Sequence, residues 1–136
     1  MEITIDFPGG ARVDADFGPH RVYTDQPTYG GGEDSAPTPL ATFLSAIGAS
    51  AGNSILRFCH QRGIPTEGLR LVQNVEVDPV AGLVRAIQLD IELPEDFPER
   101  EREAVIGAAE QCLLKRHLEQ PPAFVISAVA RELVLA

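Results

Sequence analysis

The chain has 136 residues, 44% of them hydrophobic, which suits one compact domain with its own core and leaves too little for two. Its 20 acidic and 11 basic residues give a formal net charge of −9, a field that repels nucleic-acid phosphates and anionic membrane surfaces, so neither is expected as a partner. The two cysteines, Cys59 and Cys112, match no zinc or CxxC spacing, so no metal is expected, and no motif calls for a cofactor.

In chain order, Met1-Glu2-Ile3-Thr4-Ile5-Asp6 alternates like a strand and lacks the basic flank and apolar run of a signal peptide. The expectation is a cytoplasmic protein with two free thiols. Gly9-Gly10 and Gly18-Pro19 separate further short strands at 11–16 and 21–24, an antiparallel meander. Residues 25–38, rich in Gly, Pro and small polar residues, read as a surface loop in which Asp25, Glu33 and Asp34 form a solvated acidic face, with cation binding or the shaping of a pocket entrance as the less common alternatives.

Thr38-Pro39 is a helix start, since threonine caps free amides and proline fits the first turn. The helix runs to about Arg62, where Gly63 and Pro65 end it, and it is apolar or small nearly all round, which predicts burial on most faces. Asn53, Arg57, His60 and Arg62 make it too polar for a membrane span despite the Gly48/Gly52 pair. Strands follow at 69–78 and 84–93, joined by a turn at 79–82, and in the second Ile87, Leu89, Ile91 and Leu93 face one side. A second helix opens near Asp96 with acidic first turns and closes near Lys115-Arg116-His117, with Val105, Ala109 and Cys112 on its buried face. Gln120-Pro121-Pro122 breaks the chain before a last strand at 123–134. The order βββ-α-ββ-α-β groups its strands, so the fold class is α+β, with an antiparallel sheet and two main helices in a single domain over 1–136.

Three residues carry candidate chemistry. Ser50 lies in Gly48-Ala49-Ser50-Ala51-Gly52, a GxSxG pattern followed by Asp90 and His117 in hydrolase order, but helical periodicity starting at Pro39 replaces the strand-turn context the motif needs. His117, at a helix end, either interacts with free carbonyls or pairs with Ser50. Cys112 has Lys115 and Arg116 at i+3 and i+4, which favour a thiolate, while a helix C-terminus disfavours one, so the sign stays open between an inert and a reactive thiol.

Two stretches, Gly31-Gly32-Glu33-Asp34-Ser35-Ala36-Pro37-Thr38-Pro39 through Ala46-Ile47-Gly48-Ala49-Ser50, and Ala109-Glu110-Gln111-Cys112-Leu113-Leu114-Lys115-Arg116-His117-Leu118, resemble the osmotically inducible protein C (OsmC)/organic hydroperoxide resistance superfamily. The start Phe7-Pro8-Gly9-Gly10-Ala11-Arg12-Val13-Asp14-Ala15 and the segment Phe58-Cys59-His60-Gln61-Arg62-Gly63 resemble a bacterial branch of it. The resemblance implies an intertwined homodimer with sites at its interface, and a small organic hydroperoxide as substrate. It further implies that one cysteine attacks the peroxide and a second resolves the sulfenic acid, while an arginine and a glutamate orient the first thiol. Matched by position, Ser50 stands at the attacking cysteine, Cys112 at the second, Leu40 at the glutamate and Arg12 at the arginine.

A serine hydroxyl is barely ionised near neutral pH and forms no sulfenic acid, so the thiol cycle cannot run from Ser50. Cys59 is no substitute, because nine residues of helix put it half a turn round and about 13 Å along the axis. The leading expectation is an OsmC-family protein tied to hydroperoxide or oxidative-stress defence without thiol peroxidase activity of its own. The alternatives are a noncatalytic module binding a small apolar or organic ligand, and a Ser50-dependent hydrolase or acyl-transfer enzyme.

Overall fold

The computed structural model describes residues 1–130. Strands β1 (Thr4–Gly9), β2 (Arg12–Phe17) and β3 (His20–Thr24) form the expected meander, an antiparallel sheet in the order β1-β2-β3. Pairing of Ile5 with Ala15 and of Val13 with Thr24 sets the register. These four residues, with Pro39, Thr42, Phe43 and Ala46, line an open apolar pocket of about 360 Å³ between the sheet and the following helix. Alternation puts Arg12, Asp14 and Asp16 on the opposite face of β2.

Helix α1 (Pro39–Gln61) starts and stops where its sequence says it should. The Thr38 hydroxyl accepts the Ala41 amide at 3.1 Å. At the other end Gly63 takes φ 64°, donating to the His60 carbonyl while Ile64 donates to that of Cys59. This Schellman turn drops Ile64 into the core beside Ile55, Phe58, Cys59 and Val105. Burial is narrower than the composition predicts: Ile47, Ala51, Ile55, Phe58 and Cys59 are buried, whereas Leu40, Phe43 and Leu56 are exposed. One chain has too few layers to cover an apolar helix on every side.

Strands β4 (Arg70–Val77) and β5 (Val84–Glu92) form a two-stranded antiparallel hairpin. Leu71, Ile91 and Leu93 pack on the core, while Gln88, Asp90 and Glu92 are exposed, as the alternation predicts. The Gln73 side-chain amide donates to the Leu44 carbonyl of α1 at 3.0 Å. That contact crosses Gly48, where a Cβ would stand 2.4 Å from the Gln73 oxygen. None of the helices among the described residues is long and apolar enough to cross a membrane.

Two expectations need correction. The second helix is not continuous: after a short 3-10 turn (Glu99–Glu101), α2 (Arg102–Glu110) ends and α3 (Leu113–Glu119) begins, with Cys112 in extended backbone at φ −65°, ψ 145° between them. Periodicity survives because Val105 and Cys112 both face inward, so a hydrophobic pattern cannot register the break. The last strand is also absent over 121–130, where no residue is in a helix or strand and every residue is exposed. A strand needs a ladder partner, and none lies alongside among the described residues. Positions 131–134 of that expectation lie outside the described residues. The class remains α+β, with three α-helices and two small antiparallel sheets among the described residues.

Candidate functional site

Ser50 sits midway along α1, and its side chain points at the start of α3. Its Oγ accepts the backbone N–H of Leu114 at 3.3 Å. The first amides of a helix have no partner within it, and the local N-cap residue, Cys112, supplies no side-chain acceptor. Ser50 therefore does for α3, from another helix, what a serine or threonine at the N-cap does locally.

This contact also brings together the two residues matched to the attacking and resolving thiols, since Cys112 lies two positions before the amide that Ser50 holds. The Cys112 thiol is 3% exposed and unpaired with Cys59. It borders a half-open cavity of about 660 Å³, along with Ile47, Ile87, Leu89, Val105 and Lys115. Because Cys112 precedes a helix, the expected end of a long helix beside it is not there. Cys59 is fully buried, and desolvation pushes its thiol pKa upward, the behaviour of an inert core thiol.

The other candidates do not join Ser50 within the chain. His117 Nδ1 lies 2.8 Å from the carbonyl of Leu113, the first residue of its own helix, rather than from a free carbonyl at the helix's C-terminal end. Asp90 accepts from Gln88 at 3.0 Å, and no hydrogen bond links it to His117. With Ser50 in the interior of a helix, the nucleophile elbow is absent as well. Arg12 lies on the face of β2 turned away from the pocket against α1, with Nη2 3.1 Å from Asp14 Oδ2. Arg21 binds the same oxygen at 2.8 Å and also reaches Asp6 and Asp16, which raises its pKa, chiefly through the Asp14 bond. Asp14 is fully buried under this pair, and its Oδ1 has no partner among the described residues.

The loop at 25–38 has an organisation that sequence reasoning missed. Asp25 is not a solvated acid or a free cation ligand but is 1% exposed, accepting from the Ser35 hydroxyl and from the backbone amides of Gln26, Glu33 and Ser35. The Ser35 hydroxyl, then these amides, hold its pKa down to about 2. Gly32 lies so close that a Cβ there would meet the Gln26 carbonyl oxygen at 2.0 Å. An aspartate before a Gly-rich loop is a weak signal, because many such acids face water. Leu40, at the position matched to the glutamate, is half exposed and supplies no carboxylate.

The chain is similar to several solved structures at the level of the fold. An OsmC-like protein from Mycoplasma pneumoniae aligns with a TM-score of 0.69 and 19% identity over 88% of this chain and 87% of its own. A protein from Psychrobacter arcticus 273-4, described as osmotic stress induced and of detoxification response, aligns with a TM-score of 0.68 and 15% identity over 84% and 85%. An organic hydroperoxide resistance protein OsmC from Legionella pneumophila aligns with a TM-score of 0.55 and 20% identity over 87% and 89%. No curated protein matches. The model of the OsmC-like protein family matches residues 31–127, a span that holds Leu40, Ser50, Cys112 and His117, and the chain belongs to that family.

Proposed function

We propose that this chain is a homodimeric OsmC-family protein of hydroperoxide or oxidative-stress defence that has no thiol peroxidase cycle of its own. The observation that carries the reading is the bond from the Leu114 amide to Ser50 Oγ. A hydroxyl accepting a helix amide is engaged in structure, and among the described residues no histidine or carboxylate hydrogen-bonds to it to take its proton. Support for the homodimer comes from apolar side chains of α1 that a single chain leaves exposed, Leu40 and Phe43 on one side of the helix and Leu56 on nearly the opposite one.

The test is hydroperoxide consumption with a lipoyl or other dithiol reductant. The wild-type chain is expected to match the protein-free rate, and Ser50→Cys to gain turnover that Cys112→Ala then lowers. Turnover by the wild type, lost in Cys112→Ala, would overturn the proposal, and a folded but inactive Ser50→Cys would count against a preserved peroxidase site.

A second reading, a binding module for a small apolar or organic molecule, is favoured by the pocket of about 360 Å³. Its α1 stripe of Pro39, Phe43 and Ala46 leads within one turn to Ser50. Ligand-dependent thermal stabilisation that Ala46→Phe removes would select this reading. Hydrolysis through Ser50 has no comparable support, and an activated ester is expected to leave Ser50 unlabelled.

A further inference from the structure

We draw no further inference here: the strongest candidate, the cluster of Arg12, Arg21 and Tyr23 over the buried Asp14 on the outer face of the β1-β2-β3 sheet, pairs its charges within the sheet, and nothing among the described residues shows what would meet the unpartnered Asp14 Oδ1.

Discussion

The loop at 25–38 and the segment at 121–130 are both largely irregular, but their own chain treats them differently. In the loop, Asp25 gathers three amides and a hydroxyl, and the Asp25 and Asp34 amides bond to the Pro37 and Gln26 carbonyls. Irregular backbone is tolerable when its polar groups find such partners. In the segment the side chains are mostly apolar and exposed, and nothing among the described residues packs over them. An irregular stretch that satisfies itself is finished by folding, whereas an uncharged β-prone one left bare is suited to be finished by association.

Substitutions can break that comparison, and the largest effect is expected at Gly32. A Cβ there meets backbone rather than a movable side-chain end, so Gly32→Ala should cost at least about 2 kcal/mol, read from the urea midpoint. An unchanged midpoint would mean that the loop is not closed around Asp25.

Acid comes next. Because the folded pKa of Asp25 is about 2 and an unfolded aspartate titrates near ~3.9, its stabilisation is complete above about pH 4 and is lost as pH falls through about 2. Asp25→Asn should therefore lower stability at neutral pH and flatten the decline between about pH 4 and 2. Parallel curves for the two proteins would remove Asp25 from the account.

Ser50→Ala should cost about 1 kcal/mol, the usual worth of a helix cap, seen as a lower thermal midpoint. Gly48→Ala should fall within about 0.5 kcal/mol of wild type, because the lost Gln73 bond and the gain in helix propensity are each about 1 kcal/mol. Phe124→Ala is expected to be the smallest in the isolated chain, within about 0.5 kcal/mol, since it removes no contact there. A large loss of stability in a dilute monomer would show that the segment packs on its own body.

Much of this molecule can be read from local sequence. Thr38-Pro39 and Gly63 bracket α1, and the alternation of Ile87, Leu89 and Ile91 orients β5, because caps and periodicities are set by residues close in the chain. Ser50 and Cys112 were also legible as a pair, through resemblance to a family whose fold the structure shares. The break at Cys112 was not, since Gln111-Cys112-Leu113 contains no Pro or Gly and α3 is capped by a residue 64 positions away. The role of Asp25 likewise depends on a turn that brings Ser35 back to it. The strand expected at 123–134 reflects a propensity that needs a partner before it becomes structure.

Most direct for the claim that Ser50 is a structural acceptor rather than a nucleophile is hydrogen exchange at the Leu114 amide. Loss of a bond worth about 1 kcal/mol should speed exchange about fivefold in Ser50→Ala, with amides near Ile55 unchanged. The same Leu114 exchange rate in both proteins would contradict the account.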